Sequence, residues 1–444
     1  MAKSKKILKK TGELGRTGLP MYAGRIYDEP LAKLTGDGWR KAVRDMRNDP
    51  VVGAILFAIN MLARQVSWQI VPFSSDLEDE KNAQLAREAI FDDMEQTWQE
   101  TVSESLSMLE WGWSWLEMCY KRRGGESRDK TKNSRFSDNL VGFRKWAIRG
   151  QESLFRWETD EFDEITGMTQ MPAPDFRVRT IPFEKSLHFR TGSHMGNPEG
   201  RAILRTAYRP WFMRANIENI EAMAIERELN GLPVVDVPAD YFKKDAPQEE
   251  KDLIYYAENL VQIVRNDEVA GIVVPAVYDE NGNRTFDFRL LSSDGKREID
   301  TSATVNRYDN RIALCVLADF IFLGSNSPNG SHALMDGKND VFSNAMSAYL
   351  DGICDTVNRR AIPKLMKLNG RNPARSPYMT HGSVQKIKLA ELGEYISKLS
   401  GAQIQFSETE ANHLKRQADI PVDEKSKSAS KSPKKEKKNK DEEI

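Results

Sequence analysis

One stretch constrains the chain more than any other. From Pro198 to Pro233 it reads PEGRAILRTAYRPWFMRANIENIEAMAIERELNGLP. Leu204, Tyr208 and Trp211, then Ile217, Ile220 and Ala224, recur at steps of three and four, which draws one apolar face along a long helix closed by a glycine and a proline. Its charges run the wrong way. Arg201, Arg205, Arg209 and Arg214 crowd the first half, and Glu218, Glu221, Glu226 and Glu228 the second. The helix macrodipole favours acids at the N-terminal end and bases at the C-terminal end, so another interaction must offset the cost. Staggered copies of this helix, side by side in a ring, would set the arginine half of one against the glutamate half of the next. The competing reading is that the charges are solvated, since exposed ion pairs contribute little. Both stay open.

At 444 residues the chain has room for several folding units or one elongated, multi-part subunit. Lys plus Arg (65) nearly balances Asp plus Glu (66), so any contact with DNA would be local rather than a property of the whole surface. Three widely spaced cysteines, Cys119, Cys315 and Cys354, read as reduced thiols. The longest apolar run, Val51 to Leu62, is interrupted by Gly53 and Asn60 and is too short to cross a bilayer. The basic start MAKSKKILKK leads into Gly, Thr and Glu rather than an apolar signal core, so synthesis and use in cytoplasm are expected.

Along the chain, residues 1–29 read as a loose arm. DPVVGAILFAINMLARQV is a helix capped by Asp49 with proline in its first turn, and SWQIVPF alternates like a strand. Helices follow from about Leu77 to Met94 and from near Glu95 to the cluster LEWGWSWLEMCYKRR, where alternating tryptophans signal a change to strand. After a polar loop from Gly124 to Asn139, FRKWAIR, SLFRWETD, RVRTIPF and KSLHFRTG are strand-like. Beyond the long helix come a short strand (LPVVDVP), a helix from Gln248 to Arg265, a hairpin turning at ENGN, and a second long helix within Ile299 to Leu323. The polar segment GSNSPNGSHALMDGK then precedes a helix from about Asn339 to Leu368, stopped by Asn369 and Gly370. Helical or mixed segments (388–400 and 407–417) and a lysine-rich tail, expected to be disordered, end the chain.

Enzymatic signatures are weak. No GK[ST] phosphate loop is present, and His188, His194, His332, His381 and His413 are scattered without pair spacing, which argues against a zinc site. No cofactor is expected. The acids Asp92 and Asp93, and Asp160, Glu161 and Asp163, read as solvated faces rather than a metal site. His188 reads as a strand residue with a local hydrogen bond. The Trp111–Trp115 cluster could stack on bases, but its small neighbours Gly112 and Ser114 favour a packed corner. The lysine tail suits nucleic acid contact and a solubilising tether equally.

The order of these segments resembles that of portal proteins of tailed bacteriophages, in particular a Mu-like subgroup. NDPVVGAILFAINMLARQVSWQIVP is similar to their early helix and strand, and LEWGWSWLEMCYK to their G-x-S-x-x-E corner, with Trp113 where Tyr or Phe is common. IPFEKSLHFRTGSHMGNPEGRAILRTAYRPW resembles the lead-in to their stem helix, ERELNGLPVV its end, and ISKLSGAQIQFSETEANHLKRQADIP their late segment. The resemblance spans about residues 45–421. It implies an α+β portal fold and a ring, usually of twelve copies in that family, at one capsid vertex, through which double-stranded DNA passes during packaging and ejection.

Carried over, the arm is 1–29, the α/β wing 30–197, stem helix 1 198–230, the clip 231–296, stem helix 2 297–323 and the tunnel loop 324–338. Residues 339–421 supply the tunnel helix, wing completion and C-terminal part, and 422–444 the tail. Ser325, Asn326, Ser327, Asn329, Gly330, Ser331, His332 and Lys338 would then line the channel, exchanging phosphate and water contacts without holding DNA. Gln248, Glu249, Glu250, Lys251, Asn281, Gly282 and Asn283 of the clip would meet the terminase large subunit and the head-tail adaptor. The eight charges of the first stem helix would set the subunit interface. Major capsid and scaffold proteins are further implied partners, with no membrane; the chain would reside in the virion after assembly in host cytoplasm. Two other readings remain: a metal-dependent DNA-processing enzyme subunit, and another minor head protein.

Overall fold

The computed structural model describes residues 15–230, 232–243, 246–265, 287–291, 300–316 and 332–384. Its N-terminal α/β part is built around a three-stranded antiparallel sheet in the order β5-β4-β9, with β4 Trp113–Arg122, β5 Val141–Ile148 and β9 Ser186–Arg190. Period-two alternation gives β4 two unlike faces. Leu116 and Met118 face a core made with α2 (Pro50–Gln65), α3 (Leu77–Arg87), α4 (Trp98–Trp111), α8 (His332–Thr356) and α9 (Ile362–Leu368). Trp113 and Trp115 face the other way and pack on Trp157 and Met168. These belong to a second antiparallel sheet, β6 Leu154–Thr159, β7 Ile165–Gln170 and β8 Arg179–Pro182. The tryptophans are therefore a packed corner: the Trp113 and Trp157 rings meet edge to face at 4.9 Å. Each buried ring contributes about 2 to 3 kcal/mol through the area it removes from water.

Local chemistry explains most boundaries. The Asp49 carboxylate accepts from the N–H groups of Val51 and Val52 and starts α2. Thr97 and Glu100 form a capping box at the head of α4. β3 (Trp68–Val71) pairs with β12 (Tyr378–His381), so a strand from the far end of the described chain joins the N-terminal α/β part. The helix expected from Asn339 to Leu368 is continuous through α8, a π turn at Val357–Ala361 and α9, and ends where Asn369 and Gly370 were expected to stop it. There the Asn369 amide exchanges two hydrogen bonds with the backbone of Val141, at 2.7 and 3.0 Å.

Two expectations change. Residues 21–26 of the supposed loose arm form a hairpin, β1 Met21–Tyr22 and β2 Arg25–Ile26, docked on β6 because the Gly24 carbonyl accepts from the Trp157 N–H at 2.8 Å. Helix α8 begins at His332, so the backbone of 332–338 is helical rather than loop; Ala333, Leu334, Met335 and Asp336 are compatible with helix. Between these parts lie α1 (Gly36–Arg47), α5 (Ile203–Asn230), the strand pair β10 (Leu232–Asp236) and β11 (Asp287–Leu291), α6 (Gln248–Arg265) and α7 (Thr301–Cys315).

Candidate functional site

The junction from which the long helix α5 departs holds a constellation of polar side chains. Helix α4 stops at Gly112, whose φ of +94° is left-handed, and β4 departs at once. Opposite it stands Gly200, with φ of +54°. A Cβ on Gly112 would lie 2.2 Å from the Glu199 carbonyl oxygen, and one on Gly200 2.3 Å from the Gly112 carbonyl oxygen. Two backbones touch there, and only glycines fit. Thr191 clasps the contact: its N–H donates to the Gly112 carbonyl at 3.0 Å, and its hydroxyl oxygen accepts from the Arg201 N–H at 3.1 Å.

Three side chains then hold the 197–200 turn. The Trp157 indole N–H donates to the Glu199 carboxyl at 3.1 Å; burial pushes the Glu199 pKa up, and the nearby Asp28 adds to the rise. His188 Nε2 sits 2.8 Å from the Pro198 carbonyl oxygen, and burial, with Arg190 and Arg360 nearby, pushes the imidazole down to about 3. It is thus neutral at physiological pH and donates from Nε2, as the expected local hydrogen bond requires. Asn197 donates to Asp28 at 2.9 Å and accepts from the Glu199 N–H at 2.7 Å.

Helix α5 runs on through Pro210, packed along α7. Arg214 lies at the crossing, with only 3% of its surface exposed. Its guanidinium pairs with Asp49 at the head of α2, with Asp309 of α7 at 2.5 Å, and with Glu218 at 3.4 Å. The reversed charge pattern is therefore offset in part within one chain. This corrects the expectation that Arg214 serves a neighbouring copy: it is buried, and its two terminal nitrogens donate to Asp309 and Asp49 of its own chain. Arg205 donates to the Leu34 carbonyl at 3.0 Å, and Glu221 accepts from the Thr301 hydroxyl. Arg201 and Arg209 stand exposed. The side chains of Glu226 and Glu228 lie outside the described residues.

Other expected site residues are spread out. Gln248, Glu249, Glu250 and Lys251 form the first turn of α6, where the two acids suit the helix dipole and Gln248 donates to Asp252 at 3.0 Å. Asn281, Gly282 and Asn283 lie outside the described residues, as do Ser325, Asn326, Ser327, Asn329, Gly330 and Ser331, the segments 388–400 and 407–417, and the tail. His332 and Lys338 fall on the backbone of α8, their side chains undescribed. Asp93 is not a solvated acid: it is buried, 3.2 Å from the Lys121 ammonium, and accepts from the Ser134 hydroxyl at 2.8 Å. Among the described residues no group of three or more His, Cys, Asp or Glu could hold a metal ion, and no helix is long and apolar enough to cross a membrane.

Sequence reading missed Asp309, Trp157 and Glu199. A signal for Asp309 was present: it shares a helical stripe with Ile312 and Ala313, which are buried, and a carboxylate on such a stripe requires a partner.

The mixed helix-and-sheet chain, with its α/β part, paired long helices and inserted module, is of the phage portal class. A family profile described as the portal protein of Mu bacteriophage matches residues 41–417, and the chain belongs to that family. Among solved structures, the neck of an empty GTA particle computed with C6 symmetry aligns with a TM-score of 0.51 at 12% identity, covering 90% of this chain and 96% of that one. The virion of a native gene transfer agent particle aligns at 0.50 and 12% identity, with the same coverage. No curated protein sequence matches.

Proposed function

We propose that this chain forms a closed ring at one capsid vertex, passes double-stranded DNA through its centre during packaging and ejection, and docks the terminase large subunit and then a head-tail adaptor. One observation carries the reading: α5 and α7 run side by side from the wing, joined by the Arg214 node, with the α6, β10 and β11 module inserted between them in sequence. A rigid stem of that kind places an inserted module at its far end, where a motor or adaptor can reach it. The six-fold symmetry used for the related neck particle is consistent with a rotationally symmetric assembly.

In this reading the polar segment 324–331 faces the channel, where hydroxyl and amide groups exchange phosphate contacts with water, and Lys338 steers DNA at the start of α8. The exposed charges Arg201 and Arg209 act between neighbouring copies, while Arg214 holds the stem within its own copy. Acids of the first α6 turn, Glu249 and Glu250, meet the docking partner. The ring supplies position and symmetry, and the terminase supplies nucleotide chemistry. Deleting 324–331 tests the channel assignment: rings should still form, while packaged DNA in a capsid-filling assay falls severalfold. Unchanged packaging would remove the segment from the channel.

A further inference from the structure

A cleft of about 340 Å³ opens between the end of β9, the turn at Gly192 and Ser193, and the π turn that ends α8. It lies beside the stem launch and shares His188 with it, the residue that holds the Pro198 carbonyl. Phe183, His188, Arg190, Ser193, Arg359 and Arg360 line it.

Its charge is unbalanced. The central carbon of the Arg360 guanidinium lies over the Phe183 ring, 3.7 Å from its centroid, a cation–π contact that holds the head group at the cleft wall. Arg190 spends one N–H on the Asn197 carbonyl at 3.1 Å. Among the described residues neither arginine has a carboxylate partner. The one acid in the lining, Asp355, lies 3.5 Å from Arg359. Three guanidiniums thus face one carboxylate. Burial and the mutual field of Arg190 and Arg360 depress the pKa of Arg360, as expected of like charges brought together without a counterion. The π turn adds a second sign. Such turns disrupt the regular helix ladder and recur where a helix carries function. Here Val357 and Ala361 are buried in the core while Arg359 and Arg360 line the cleft.

We propose that this cleft binds a phosphate-class anion, held between the guanidiniums of Arg190 and Arg360 with the Ser193 hydroxyl as a further donor. Donor-bearing residues of a strand, a turn and a helix, Arg190, Ser193 and Arg360, line the one cleft. That arrangement matches a tetrahedral anion with acceptor oxygens all round better than a planar carboxylate approaching from one side. The anion comes either free, as inorganic phosphate, or as a backbone phosphate of DNA.

Calorimetric titration of the full chain with inorganic phosphate, at constant ionic strength set by chloride, tests this. Saturable binding is expected, weakened at least tenfold in Arg360→Gln and in Arg190→Gln, as the loss of one charge-assisted hydrogen bond implies. Binding should be unchanged in Arg128→Gln, an exposed arginine elsewhere. Arg360→Lys, which keeps the charge and loses the fork, should fall between, and equal unfolding midpoints would show that the variants fold. Competition by a short blunt duplex would assign the site to DNA; phosphate binding indifferent to the duplex would assign it to the free anion. Absence of phosphate binding to the wild type, or equal binding by both arginine variants, overturns the proposal. Ring formation lost in those variants, with no phosphate bound by the wild type, would also overturn it and point to a neighbour's carboxylate.

Discussion

Replacing Arg214 with methionine removes a guanidinium from a site that is 3% exposed while keeping most of its volume. Asp49, 8% exposed, would lose its cationic partner, and Asp309 its contact at 2.5 Å. Removing one member of a buried ion pair costs about 3 to 5 kcal/mol, because the remaining charge is left in a medium that solvates it poorly. Asp49 retains the N–H groups of Val51 and Val52, so the lower end, about 3 kcal/mol, is expected. Urea unfolding followed by tryptophan fluorescence, at one protein concentration so that assembly does not shift the midpoint, measures the loss. Adding Asp309→Asn to Arg214→Met should recover part of it, since the second substitution removes a stranded charge; strict additivity is not expected. Hydrogen exchange should accelerate first in α7, which the node ties to α5. A loss below about 1 kcal/mol, or fully additive substitutions, would refute the view that this node fastens the stem to the wing.

Other substitutions probe the stem launch. Gly112→Ala combines a left-handed backbone with a Cβ placed 2.2 Å from a carbonyl oxygen, and should destabilise by about 2 kcal/mol or more in the same assay. Trp157→Phe keeps an aromatic side chain but loses the indole N–H that Glu199 accepts and part of a buried ring's volume, and should cost about 2 kcal/mol or more. The His188 pKa of about 3 in the fold lies below the ordinary 6.5, so the unfolded chain binds the proton more tightly. Stability from this group is therefore full above pH 6.5 and is lost as pH falls toward 3, reaching about 2 kcal/mol by pH 5, and His188→Gln should flatten that part of the profile. Glu199, raised in the fold, works in the opposite sense, favouring the folded state as pH falls through its folded pKa. Its Gln variant separates the two.

Local signals carried much of the fold. Asp49 with Pro50, the Asn369–Gly370 stop and the alternating tryptophans marked boundaries the structure keeps, because caps and period changes act over a few residues. What they could not supply was pairing across distance. That β12 closes on β3, or that β10 takes β11, depends on which edges the tertiary fold brings together. The same limit explains the site. The reversed charge of α5 was visible, but two partners of Arg214, Asp49 and Asp309, lie 165 and 95 residues away in sequence. Distributed charge on one helix suggested a neighbouring copy, whereas burial in three dimensions assigned Arg214 to its own chain.

Electron microscopy of the purified chain, with native mass spectrometry to count subunits, decides whether it closes into a ring. A closed ring is expected, of about twelve copies as in the family resembled, around a hole at least as wide as a DNA duplex, roughly 20 Å. A monomer or dimer under every assembly condition, with no rotational symmetry, would contradict it.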